Sequence, residues 1–175
     1  MRILTVDTET DGFNDPHIIQ LAAILTKDDN ELASLNVLIK PDGWQVSEGA
    51  FNVHGISTGA ATEFGIPIYA ALWLFDELCG QADLVVAHNM SFDSRIIRGE
   101  YGRIEKVWEP KATRCTMLAT TNICKLPGKR GYKWPSLAEA HRFFFSEDFD
   151  GAHDALVDVR ACHKIHKHLI DNNLV

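Results

Sequence analysis

Arg2-Ile-Leu-Thr-Val-Asp7-Thr-Glu9-Thr10 is the stretch whose reading decides the fold. Arg2 to Val6 is apolar and β-branched, the composition of a strand. Asp7 and Glu9 close it, two residues apart, and residues two apart in a strand project to the same side. Two carboxylates leaving a strand end together repel one another unless a cation lies between them. Ligation by oxygen alone suits hard ions such as Mg²⁺ or Mn²⁺. Taken alone, the D-x-E pattern reads equally well as a solvated strand end before the turn Asp11-Gly12.

The chain that follows supplies partners for this strand. His17 to Thr26 is a second strand, Lys27-Asp-Asp-Asn30 a turn, and Glu31 to Lys40 a third strand ended by Pro41-Asp-Gly43. Short turns between three strands predict an antiparallel meander. Ser47 to Thr58 reads as a short helix and a turn. Ile68, Ala71, Leu72, Phe75 and Leu78 recur at helical spacing, which predicts a helix over Pro67 to Cys79. Ala82 to Ala87 is nearly all apolar and lies between two helices, as a buried parallel strand does. Ser91 is placed to cap the next helix, with Asp93 in its first turn.

Thr113 to Thr116 reads as a fifth strand, followed by a helix to about Cys124. Leu126 to Trp134 is a basic loop, Ser136 caps a helix through Phe144, and Glu147 to Gly151 is an acidic loop. His153 to about Asn172 is the last helix. The expectation is an α/β fold: a mixed five-stranded sheet, three strands antiparallel and the later ones parallel, flanked by helices. One domain, residues 1–175, accounts for the chain, with no internal repeat or linker.

Composition sets limits on function. With 175 residues, 46% hydrophobic and 23% charged, the chain has the size and balance of one soluble domain. No apolar run is long enough to span a membrane, and a charged residue at Asp7 interrupts any signal-peptide layout. A cytoplasmic location is the expectation. Cys79, Cys115, Cys124 and Cys162 match no zinc spacing and read as reduced thiols. The formal charge of −7 argues against tight binding to long duplex DNA. The charge is uneven, however: Pro110 to Ala138 has no Asp or Glu, but carries Lys111, Arg114, Lys125, Lys129, Arg130 and Lys133.

The carboxylates that combine with Asp7 and Glu9 are Asp93 and Asp158, each near a strand end or on a helix able to cover that edge. Open α/β sheets assemble their sites at such edges. His153 precedes Asp158 in His153-Asp-Ala-Leu-Val-Asp158. Asp154 lies near a helix N-terminus, where an acid is favourable in itself, and is left out of the site.

Three motifs in order, Asp7-Thr8-Glu9-Thr10, His88-Asn89-Met-Ser-Phe92-Asp93 and His153-Asp-Ala-Leu-Val-Asp158, give the chain its resemblance. It resembles the DnaQ-like 3′→5′ exonucleases of the DEDDh type, which have a ribonuclease-H-like fold. The resemblance implies two divalent ions, Mg²⁺ with Mn²⁺ able to substitute, about 3.5–4 Å apart. It implies that Asp7 bridges both ions, that Glu9 and Asp158 hold the ion bearing the attacking water, and that Asp93 acts mainly through water on the other. It assigns His153 as the general base, a task suited to an imidazole.

Asn52-Val53-His54-Gly55-Ile56 is similar to a family stretch facing the terminal nucleotide. This makes Asn52, His54, Ile56 and Thr10 candidate substrate contacts; His54 reads equally as a structural cap. Phe13 or Phe51 offers a stacking surface, and Lys125 to Lys133 with Tyr132 and Trp134 is either a single-strand contact or a solvated loop.

The implied reaction releases nucleoside 5′-monophosphates from the 3′ end of single-stranded DNA. RNA 3′ ends are the nearest alternative. Proofreading beside a polymerase or another replication protein, or a binding module without activity, are further ones. Oligomeric state stays open. An aspartyl-nucleophile phosphatase would require Asp, not Glu, at position 9.

Overall fold

The computed structural model describes residues 1–28, 30–149 and 151–175. Asp29 of the expected turn and Asp150 of the acidic loop lie outside the described residues.

In chain order the elements are β1 (Arg2–Thr10), β2 (Ile18–Lys27), β3 (Asn30–Leu38), α1 (Glu48–His54), α2 (Thr58–Phe64), α3 (Ile68–Gln81) and β4 (Leu84–Ala87). They continue with α4 (Met90–Arg103), β5 (Thr113–Cys115), α5 (Thr116–Cys124), β6 (Pro127–Gly128), β7 (Gly131–Tyr132), α6 (Leu137–Phe145) and α7 (Ala155–Asp171). The main sheet has the order β3-β2-β1-β4-β5. β1–β2 and β2–β3 are antiparallel, and β1–β4 and β4–β5 parallel. This is the mixed five-stranded sheet expected, with β1 in the centre.

Both faces of the sheet are covered. Leu4, Val6, Leu21, Ala23 and Leu25 pack with Leu72, Phe75, Ile96 and Ile97 of α3 and α4. On the other face Ala22 and Ile24 meet Ala155 and Val159, while Leu84 and Val86 meet Cys162. α7 therefore lies along β1, β2 and β4, on the face to which Asp7 and Glu9 also point. Residues buried on both faces explain why β2 is largely apolar and lacks the alternation of a half-exposed strand.

Several local expectations are corrected. β1 runs four residues past Val6, so Asp7 and Glu9 lie inside the strand, opposite Ala22 and Gln20. The pairing shifts register between Glu9 and Thr10, a bulge-type irregularity of the kind found next to active sites. α2 is an additional helix, capped by Ser57, whose hydroxyl accepts from Ala60 N at 3.1 Å. α4 begins one residue before Ser91. Its cap is Asn89, in the left-handed region at φ 73° without a side-chain cap bond, and the Ser91 hydroxyl donates to Asn89 Oδ1. α6 starts at the expected cap, as a full capping box of Ser136 and Glu139. α7 begins at Ala155 and not at His153, because Asp154 is its N-cap, accepting from Leu156 N and Val157 N.

Candidate active site

The centre of the sheet delivers the carboxylates. Asp7 and Glu9 alternate with Val6 and Thr8, so they leave β1 on the α7 side. Asp158 stands in the first turn of α7, and Asp93 in the first turn of α4, directly after β4. Asn can adopt the left-handed conformation that turns the chain from β4 into α4 within two residues, His88 and Asn89, which brings Asp93 back to the sheet edge.

Asp93 is 2% exposed and Asp158 8% exposed. Asp93 Oδ1 accepts from the Thr8 hydroxyl at 2.9 Å. Asp158 Oδ2 accepts from the backbone N–H of His153 at 3.1 Å, while its Oδ1 is buried with no hydrogen-bond partner. His153 itself is exposed, in a left-handed turn at φ 71°. Such a conformation is uncommon for a residue other than glycine; here the bond to Asp158 and the Asp154 cap hold it. Among the described residues, Glu9, His153 and Asp158 offer ligand atoms that all lie within 4.8 Å of one another.

The acids repel one another strongly. Burial holds the Asp7 carboxyl well above the usual range, helped by Asp93, Asp158, Glu9 and Asp154. Glu9 is pushed up to about 8, by burial and then by Asp158 and Asp93. Burial raises Asp93 to about 7 against the opposing Thr8 hydroxyl, and raises Asp158 against the His153 N–H. No Lys or Arg is among the charges acting on these four groups. Convergent carboxylates with no Lys or Arg acting on them among the described residues, one with an unpartnered buried oxygen, fit a hard divalent metal.

The residues proposed to face a nucleotide lie beside this cluster. His54 Nε2 meets the Thr10 carbonyl at 3.1 Å, and His54 Nδ1 accepts from Ile56 N at 3.0 Å. Because Nδ1 accepts, Nε2 carries the proton. Both ring nitrogens are therefore used, Nε2 in tying α1 to the end of β1 and Nδ1 in the turn that follows α1. Gly55 permits this turn at φ 72°. Thr10 Oγ1 donates to the Gly12 carbonyl. Asn52 is exposed on α1 and Ile56 half-buried after it. His88 Nε2 donates to the Pro135 carbonyl at 3.0 Å, and His88 Nδ1 pairs with the Thr116 hydroxyl.

Two positioning residues escape a motif-based reading. Thr8 lies between the strand carboxylates and bonds the helix carboxylate. Gln20 accepts from Ala155 N at 3.2 Å and donates to Asn36 Oδ1 at 3.0 Å, fixing the start of α7 to β2. A lone amide within Ile18-Ile-Gln-Leu-Ala-Ala was a visible signal for the second; the first has none beyond its place between two acids.

The family model described as exonuclease, of the RNase T type, matches residues 4–166. The chain belongs to the exonuclease family. No protein of curated function matches its sequence. Among solved structures, the exonuclease domain is similar to E. coli exonuclease I in complex with a dT13 oligonucleotide. The identity is 20%, the TM-score 0.79, and the match covers 96% of this chain and 40% of that one. The zinc-bound E. coli exonuclease I–single-stranded DNA complex is similar at 20% identity and TM-score 0.83, covering 99% of this chain and 42% of that one. At this identity the likeness shows the fold, which is the RNase-H-like exonuclease fold. The chain spans about two fifths of the length of these structures.

Proposed function

We propose that this domain, residues 1–175, is a divalent-metal-dependent 3′→5′ exonuclease that releases nucleoside 5′-monophosphates from single-stranded DNA. The observation that carries the reading is the convergence of Asp7, Glu9, Asp93 and Asp158, all with raised pKa, beside an exposed imidazole. Two ions bound there, Mg²⁺ or Mn²⁺, would activate water and stabilise the charge that develops on the phosphate and the leaving oxygen.

Asp7, the acid acted on by all of the others, would be a metal ligand. Glu9 and Asp158, beside His153, would hold metal as well, and Asp93, kept in place by Thr8, would complete the set. His153 accepts the proton of the attacking water at a ring nitrogen. Its position outside α7 leaves that ring exposed next to Glu9 and Asp158. Asn52 and Ile56 form the wall against the terminal nucleotide, and His54 and Thr10 set the distance of that wall from Glu9. The preference for DNA is supported by the oligonucleotides in the E. coli exonuclease I structures.

End-labelling tests the polarity. A 3′-labelled strand releases its label as mononucleotide in the first turnover, while a 5′-labelled strand gives a descending ladder. Immediate release of a 5′ label, or internal cuts alone, contradicts the reading.

A further inference from the structure

An acidic protein with four carboxylates in its site repels the polyanion it is read to cleave, so cations must offset that repulsion along the path of the strand. The cation-rich stretch between Pro110 and Ala138 forms a defined element. After α5, Lys125 turns the chain in the left-handed region at φ 50°, and β6 and β7 close a small hairpin, Pro127 opposite Tyr132 and Gly128 opposite Gly131. Lys129 and Arg130 are its tip. Among the described residues, neither they nor Lys125 forms an ion pair, whereas Lys133 is bound to Glu139.

The aromatic residues of this arm are ordered by its backbone. Tyr132 ends β7 and Trp134 follows two residues on, while Lys133 between them is bound to Glu139. Pro135 biases Trp134 towards the extended conformation. The two rings are 51% and 65% exposed, which no packing demand explains.

The root of the arm lies at the site. The Pro135 carbonyl accepts from His88, the residue between β4 and the cap of α4, one turn before Asp93. The arm thus leaves the same sheet edge that carries the carboxylates, at the β4 end. α1, tied to Thr10, stands at the β1 end. The geometry points to the β6–β7 hairpin as a clamp for the strand 5′ of the scissile nucleotide: Tyr132 and Trp134 stack on its bases, and Lys125, Lys129 and Arg130 contact its phosphates. This deepens the function proposed above and rests on it for the placement of the 3′ end. An acidic protein partner fits less well, since exposed rings flanked by cations that form no ion pair among the described residues match alternating bases and phosphates.

Equilibrium binding of fluorescent dT12 in Ca²⁺ at several salt concentrations tests the clamp. Trp134→Ala is expected to weaken binding about tenfold, the effect of losing one stacked base, while Trp134→Phe keeps most of the affinity. Lys129→Gln with Arg130→Gln removes two phosphate contacts. It should flatten the slope of log K against log salt by about 1.4, at about 0.7 per phosphate for single strands.

All three positions are exposed, and thermal unfolding confirms the fold of each variant. Unchanged affinity and slope in variants of a protein that binds dT12, or no binding of dT12 by the parent, overturns the clamp. Loss of affinity in variants of a protein without nuclease activity would keep the clamp and remove the exonuclease reading.

Discussion

The Thr8 hydroxyl donates to Asp93 Oδ1 at 2.9 Å, joining the central strand to the helix that follows β4. Thr8 is the residue between Asp7 and Glu9, so one side chain couples the placement of three of the four acids. The bond also favours the ionised form of Asp93 against burial. Thr8→Val keeps the shape and removes the donor. Loss of a partner to a metal-binding carboxylate typically costs about 10–100-fold in metal affinity or activity. A metal titration of turnover should shift to higher concentration by that factor; an unchanged titration would show that Asp93 needs no such support.

Stability without metal should fall as pH rises from about 6.5 to 8. Glu9 at about 8 and Asp93 at about 7 hold protons in the fold that an unfolded chain, with carboxyls near 4, has released. In that window the folded state binds more protons, so raising the pH favours unfolding. His54, His88 and His166, held neutral by burial, act in the opposite direction, but only below about pH 6.5. Asp83, Glu139 and Glu147, shifted downward by their partners, have made their contribution at lower pH still. Divalent metal replaces those protons, and its stabilisation should be larger at pH 8 than at pH 6.5. Thermal unfolding in EDTA and in Mn²⁺ at the two pH values reads both effects, and a Tm in EDTA that rises with pH would refute the assignment.

Removing a repelling acid should stabilise the metal-free protein while abolishing its activity. Asp7→Asn relieves the repulsion that Asp93, Asp158 and Glu9 exert on that position. The expected result is a higher Tm in EDTA, loss of the metal-dependent Tm gain, and turnover lower by at least about three orders of magnitude, about 4 kcal/mol of barrier. A lower Tm together with surviving turnover would mean that Asp7 has a structural role.

His153 is expected to act in the proton transfer and not in holding metal. His153→Ala should cost about 10²–10⁴ in turnover and leave the metal-dependent Tm gain in place. His153→Gly should lose the same activity with unchanged or improved stability, because φ 71° suits glycine. Equal loss of the metal-dependent gain would instead make the imidazole a ligand.

Much of this candidate site is legible because its motifs carry acids and a histidine at fixed spacing. Asp7, Glu9, Asp93, His153 and Asp158 were each named from the chain, and the fold brings them together. The errors lie where tertiary contacts override local preference. Composition alone marks β1 only to Val6, because acids are poor strand formers; pairing with Ala22 and Gln20 carries it on. α2 holds Thr58-Gly59 and little periodicity, and its Ser57 cap looked like part of a turn. The sequence reading carries α7 back to His153, whereas Asp154 caps the helix and His153 lies before it. Gln20 and Thr8 act across the fold, and only the three-dimensional structure shows what they touch.

Gln20 provides a test of that long-range positioning. Gln20→Met fills similar space but leaves Ala155 N without its acceptor at the start of α7. A buried unsatisfied donor costs about 1–3 kcal/mol, so Tm should fall. Turnover should fall too, since Ala155 lies between His153 and Asp158. A drop in Tm with full turnover would separate the Gln20 bond from the site.

The most direct measurement is the cleavage pattern of a 5′-labelled single-stranded DNA with Mg²⁺, with Mn²⁺ and with EDTA, beside Asp7→Asn and a matched RNA. The account predicts a ladder shortening from the 3′ end of the DNA in either metal, absent in EDTA and in the variant. A ladder on RNA alone would reassign the substrate. A ladder that persists in EDTA or in Asp7→Asn would contradict the claim that the four carboxylates form a metal-dependent hydrolytic centre.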